Sequence, residues 1–240
     1  MSCWATDNAQ QGTNAHNFGA TCWSEQLKKY QGIVKDMSDK PMGCSEYSAG
    51  LFNYAYDGVV AAAFIFKNVP LMNTMPWVSF WAVSDVFAEG GMRFTEFMDQ
   101  FGMQTLHGVA KPVFRAFELL RHAGNYTIPL EIDDPSAEGS LSAFATVATA
   151  TGTAAATAGD AVAALRGLRI FIANFKPNVG LPQRDSSVTI RLAGLASLVG
   201  ANTFADVKVT AHVIDATHAN PKALWQGMGK AAILTLRAST

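Results

Sequence analysis

The stretch VSFWAVSDVFAEGGMRF, Val78 to Phe94, opens as an apolar run holding Phe80 and Trp81. It then delivers Ser84, Asp85 and Glu89 in quick succession and ends on Gly90-Gly91. It reads as a buried strand with carboxylates and a tryptophan at its end. In parallel β/α folds function collects at the carboxyl ends of the strands, so the segments on either side decide what this one means.

Upstream, short strand candidates alternate with helical ones. MSCWA reads as a strand. Ser24 to Met37 places Leu27, Tyr30, Ile33, Val34 and Met37 at spacings of three and four, which predicts an amphipathic helix capped by Ser24. PMGCSEYS is a short strand after a proline, YDGVVAAAFIFKNV a buried helix and MPWVSFWAV a strand. KPVFRAFELLRHA is a further helix, with Pro112 acceptable in its first turn. This alternation predicts parallel β/α units.

After residue 123 the helical signal fades. GSLSAFATVATATG, LRGLRIFIANFKP, SSVTIRLAGL and ADVKVTAHVID carry period-two alternation and β-branched residues, with turn clusters such as KPNVGLPQRDSS between them. That pattern predicts an antiparallel β-sandwich. Thr151 to Leu165, rich in Ala and Thr, reads as a long hairpin loop or a short helical excursion.

Composition narrows the class. Hydrophobic residues make up 49% of the 240, enough for a substantial core, whereas charged residues make up 15%, against about 25% in ordinary domains. The net charge is -1, with no basic patch or charged tail aimed at nucleic acid or anionic membrane. No apolar run reaches the ~18 residues of a membrane span. The first ten residues, MSCWATDNAQ, lack the basic start and apolar run of a signal peptide. An extracellular location stays open for a part of a longer secreted protein, the one setting in which the sequon Asn125-Tyr126-Thr127 matters. Cys3, Cys22 and Cys44 are too few for a disulfide framework and lack zinc-site spacing. One disulfide with a free thiol and three buried thiols are both compatible with them. No cofactor or metal is expected.

Three clusters stand at predicted strand ends: Trp4, Thr6 and Asp7; Glu46 and Tyr47; Trp81, Ser84, Asp85 and Glu89. Carboxylates mixed with Trp and Tyr suit carbohydrate, because carboxylates bind sugar hydroxyls bidentately and aromatics stack on apolar ring faces. Each residue also has a plainer reading. Glu46 serves as a solvated or salt-bridged carboxylate, Asp85 and Glu89 as caps of a following turn, and Trp81 as core. Spacing alone does not separate the two.

A resemblance adds to this. Val78 to Leu120 is similar to the end of the catalytic barrel in glycoside hydrolase family 39, the β-xylosidase and α-L-iduronidase group, where the last strand runs roughly S-Y-W-T-F-S-D-V-F-E-E. The match takes in Ser79, Trp81, Ser84 to Phe87, Glu89, Phe101-Gly102, Gly108, Lys111-Pro112 and Phe117 to Leu120. Val213 to Gly229, VIDATHANPKALWQGMG, resembles the family's R-I-D-x-x-H-A-N-P-x-x-x-W-x-x-M-G. PMGCSEYSAG resembles the strand carrying the family's nucleophile, which implies that role for Glu46 and substrate contacts for Trp4, Tyr47, Trp81, Asp85 and Glu89. Asp57, Ala62 to Phe64 and Lys67-Asn68 match the helix after that strand, and Trp4 stands where the pattern has His. The C-terminal motif reads as structural, with His218, Asn220 and Pro221 as turn chemistry and Trp225 as an anchor.

The expected fold is therefore α/β followed by all-β: the last three or so β/α units of a TIM (β/α)8 barrel over residues 1–122, and an antiparallel β-sandwich over 123–240. A whole barrel takes roughly 200–250 residues. The family's general acid/base lies in an Asn-Glu-Pro motif, and none occurs here. The resemblance thus implies the C-terminal portion of a retaining glycosidase, a carbohydrate binder that is inactive by itself. Its open sheet edges call for the remaining barrel half, a partner chain or a second copy. A non-catalytic carbohydrate-associated or structural protein is the alternative.

Overall fold

Residues 59–72 are apolar on nearly every side, Lys67 and Asn68 excepted, and such a helix is stable only when largely buried. The computed structural model describes residues 2–4, 22–49, 56–87, 94–133, 140–149, 165–175, 185–193 and 208–230. In it, helix α2 (Val59–Met72) lies between two sheets and buries Ala61, Ala62, Phe64, Ile65, Asn68 and Met72.

The first sheet is parallel, in the order β1 (Ser2–Trp4), β2 (Cys44–Ser48), β3 (Val78–Phe80). Helix α1 (Cys22–Met37) joins β1 to β2, and α2 joins β2 to β3. After β3 comes α3 (Pro112–Leu120), with Pro112 in its first turn as the sequence predicts. The Tyr47 ring of β2 meets Phe64 of α2 at 6.4 Å and Phe80 of β3 at 5.5 Å, and Phe80 meets Phe117 of α3 at 5.6 Å. Helices packed on a parallel sheet are the expected way to cover its faces. One difference is local: α1 begins at Cys22, so Ser24 lies in the first turn instead of capping it. The first N–H groups of a helix have no intrahelical acceptor, so a Ser costs little there.

The second sheet is antiparallel, in the order β4 (Tyr126–Ile128), β5 (Leu141–Thr149), β6 (Leu165–Asn174). Phe144 and Phe171 are paired across β5 and β6, their rings stacked at 4.6 Å. Phe66 of α2 contacts Phe171 at 5.6 Å, and Phe64 contacts Phe175 at 5.7 Å. The two sheets thus share one core through α2.

β5 and β6 agree with the period-two reading. Residues 185–193 and 208–214, expected as strands, are not paired into a sheet among the described residues. Alternation marks a face, but a strand also needs a partner's backbone. Residues 151–164, most of the Ala/Thr-rich run, lie outside the described residues. A short helix absent from the sequence reading, α4 (Pro221–Gly227), follows Asn220, whose side chain accepts a hydrogen bond from the Ala223 N–H at 3.3 Å. Asn-Pro is a cap followed by a first-turn proline, a signal that was present and was read as a turn.

Candidate functional site

At the carboxyl end of β2, consecutive residues face opposite sides of the sheet. Tyr47 is 2% exposed and belongs to the core against α2. The sequence reading placed Tyr47 at the substrate. The structure instead puts it on the helix side, where burial pushes its phenol pKa well up. Glu46, its neighbour, is half-buried on the opposite face. Ser48, two residues on, is fully buried, and its Oγ has no hydrogen-bond partner among the described residues.

Trp81 continues the pairing beyond β3, its N–H donating to the Tyr47 carbonyl at 2.9 Å. Phe80 pairs with Tyr47, and half-buried Trp81 follows directly after the strand. Its ring meets Phe87 edge-on at 5.2 Å. The backbone of Trp4 pairs with Ser48, two positions along from the Ser2–Glu46 pair; its side chain lies outside the described residues, and so does Glu89.

Asp85 faces inward. Its carboxylate is 7% exposed and accepts from the Gly102 N–H at 2.9 Å. Lys111, fully buried at the start of α3, reaches it at 2.8 Å, Asp57 at 2.6 Å and the Gln100 carbonyl at 2.9 Å. Asp85 was expected to hold sugar hydroxyls, but its oxygens are instead committed to an ammonium and an amide. Desolvation raises its pKa above the ordinary 3.8, while the Lys111 charge opposes that rise. Gly102 is required here: a Cβ on it would lie 2.3 Å from the Asp85 nitrogen.

The network extends outward. The Asp99 N–H donates to Asp57 at 2.6 Å, and the Asp57 N–H donates back to Asp99 at 3.2 Å. Lys222 of α4 pairs with Asp99 at 2.8 Å and lies 3.5 Å from Asp57. Residues 82–85 run beside 101–104, with Ala82 N–H to the Phe101 carbonyl at 3.0 Å and Asp85 N–H to the Gln104 carbonyl at 2.9 Å. Glu96, 5% exposed, accepts from the His107 N–H at 3.2 Å and pairs with its ring Nδ1. Sequence reasoning missed Lys111, Asp99, Glu96 and Lys222 as site neighbours. Lys111 was visible as a motif letter, whereas Lys222 falls at an unspecified position of the C-terminal motif, and the partners of both are distant in sequence.

His218 is bound to Asp215: the Asp215 carboxylate accepts from the Thr217 N–H at 2.8 Å and the His218 N–H at 2.7 Å, and meets the imidazole at 2.9 Å. These bonds hold Asp215 well below the usual carboxylate range. Among the described residues, no group of three His, Cys, Asp or Glu side chains could hold a metal ion, and no helix is long and apolar enough to cross a membrane. Cys44 is buried and forms no disulfide among the described residues; its thiol donates to the Glu46 carbonyl at 3.3 Å.

Comparison with known proteins places the chain in a family. The model of glycosyl hydrolases family 39 matches residues 8–237. A β-xylosidase of Caldicellulosiruptor saccharolyticus is 28% identical over 176 residues, which are 72% of this chain and 30% of that protein. The crystal structure of a monomeric β-xylosidase from Caulobacter crescentus CB15 superposes with a TM-score of 0.53 at 16% identity, over 90% of this chain and 41% of that one. A second β-xylosidase of C. crescentus gives a TM-score of 0.42 at 21% identity, over 51% of this chain and 29% of that one. The chain therefore spans less than half the length of these relatives. The superposition carries the fold, a TIM barrel joined to a sandwich, and the span of the family match carries the rest: this chain belongs to glycosyl hydrolases family 39.

Proposed function

We propose that this chain is the C-terminal portion of a retaining glycoside hydrolase acting on β-xylosides, with Glu46 as the nucleophile. Residues 1–122 supply the last three β/α units of its barrel, and residues 123–240 its sandwich. The carrying observation is Glu46 itself: half-buried at the carboxyl end of a parallel strand and next to the core-facing Tyr47, so that strand alternation turns its side chain away from the helices. The family match and the β-xylosidase relatives supply the substrate class.

The chemistry needs two carboxyls about 5–5.5 Å apart, one attacking the anomeric carbon and the other protonating the leaving oxygen. Asp85 is not the second group, because Lys111 and Gly102 occupy it; Asp85 acts as scaffold for the β3 tip. Trp81 forms a wall of the sugar site, and Trp4 and Glu89 complete it. The acid/base comes from the Asn-Glu-Pro strand of the remaining barrel half, so the 240 residues alone do not turn over. General acid help is typically worth 10²–10⁴ in rate.

The test begins with intact-mass analysis of the protein from its source. The expected result is this chain joined to, or associated with, a polypeptide carrying Asn-Glu-Pro. That complete enzyme should cleave an aryl β-xyloside and lose turnover in Glu46→Gln. Full activity in the variant refutes the nucleophile, and turnover by the isolated 240 residues refutes the division of labour.

A further inference from the structure

Two residues in the loop between β3 and α3 have left-handed backbone without being glycine: Phe97 at φ 54° and Asp99 at φ 52°. Such conformations are unfavourable for residues with a Cβ, and persist only where the surroundings over-determine them. Both are gripped by α4. Trp225 lies against the Phe97 ring at 5.4 Å, and Lys222 holds the Asp99 carboxylate at 2.8 Å. The Lys222–Asp99 contact spans 123 positions of chain.

We infer that α4 is a positioning clamp for the loop at the carboxyl end of β3, with Lys222 and Trp225 as its two jaws. Lys222 sits 21% exposed between Asp99 and the fully buried Asp57. The backbone N–H groups of Asp57 and Asp99 each donate to the other's carboxylate, and Asp57 shares Lys111 with Asp85. The three carboxylates Asp57, Asp85 and Asp99 face two ammonium groups, Lys111 and Lys222, so the cluster carries an excess of one negative charge. Removing Lys222 raises that excess to two and leaves Asp57 and Asp99 to repel each other across the bonds that hold residue 99. The loop then relaxes from its left-handed turns, and the segment 101–104, which pairs with 82–85 beside Trp81, loses its anchor. A segment from the end of the chain thereby sets the geometry of a loop at the carboxyl edge of the parallel sheet.

Hydrogen exchange on the full chain tests this, in Lys222→Met, Lys222→Arg, Trp225→Ala and the double variant Lys222→Met with Asp99→Asn. In Lys222→Met the amides of Asp57, Asp99, Ala82 and Asp85 are expected to exchange tenfold faster or more. Those of β5 and β6 should be unchanged, and Lys222→Arg should restore most of the protection. Asp99→Asn keeps a side chain that tolerates the left-handed turn and removes one of the two repelling charges, so combined with Lys222→Met it should restore part of the protection; Trp225→Ala, which opens the other jaw at Phe97 without changing any charge, should loosen the same amides even if Lys222→Met yields no folded protein. Unchanged exchange at residues 57, 82, 85 and 99 overturns the clamp. A uniform rise across both sheets also overturns it, because α4 would then contribute only general stability.

Discussion

Lys111→Met tests the interior of the network most directly. Lys111 is fully buried, and its ammonium is shared by Asp57, fully buried, and Asp85, 7% exposed. Methionine keeps the length and apolar stem but leaves Asp85 without its cation and Asp57 with only Lys222, 3.5 Å away. Breaking a buried pair in this way costs about 3–5 kcal/mol. For a chain of this size each kcal/mol moves Tm by about 2–4 °C, so the expected drop is roughly 6–20 °C. The assay is thermal unfolding followed by circular dichroism at pH 7, repeated with Asp85→Asn and with the double variant. Asp85→Asn should recover part of the loss in the Lys111→Met background, because one uncompensated charge is gone and contacting residues are not additive. The pH dependence has a definite sign. Asp85's folded pKa is raised above its ordinary 3.8, so its contribution is fully present below 3.8 and is lost as pH rises through the folded value. Losing Lys111 raises that value further, so the variant should close part of its gap to the parent protein on acidification. A Tm loss under about 2 °C, or no softening by Asp85→Asn, refutes the reasoning.

Other outcomes follow from single contacts. Gly102→Ala should lower Tm by several degrees and unsettle the β3 tip, since the new methyl collides with the Asp85 backbone at 2.3 Å; an unchanged melting curve refutes the close approach. Phe64→Ala, at the fully buried ring between Tyr47 and Phe175, should cost about 3–5 kcal/mol through cavity formation in urea unfolding, and a loss below 1 kcal/mol would mean that α2 is not shared by both sheets. Asp215 is held below 3.8 by the Thr217 and His218 amides. Its contribution is therefore present above 3.8 and lost as pH falls through the lowered folded value; Asp215→Asn should flatten the acid limb of the stability profile, and an identical limb argues against the turn.

The sequence by itself determined the local elements. Spacings of three and four placed α1, the largely apolar run placed α2, Pro112 opened α3, and period-two runs placed β5 and β6. It also placed Glu46 at the end of a parallel strand, because strand–helix alternation imposes that topology. Tertiary structure decided what those side chains face. Tyr47 and Glu46 are adjacent in sequence, yet one packs under α2 and the other lies on the opposite face, a choice made by which side the helices cover. Asp85 read as a sugar ligand because its partner Lys111 is 26 positions away, and Lys222 was unreadable as a partner of Asp99 across 123 positions. Periodicity records only how a segment meets water and core. Ion pairs between distant segments leave no such period in the chain, and a buried carboxylate is committed to a role only when the fold brings its cation within reach.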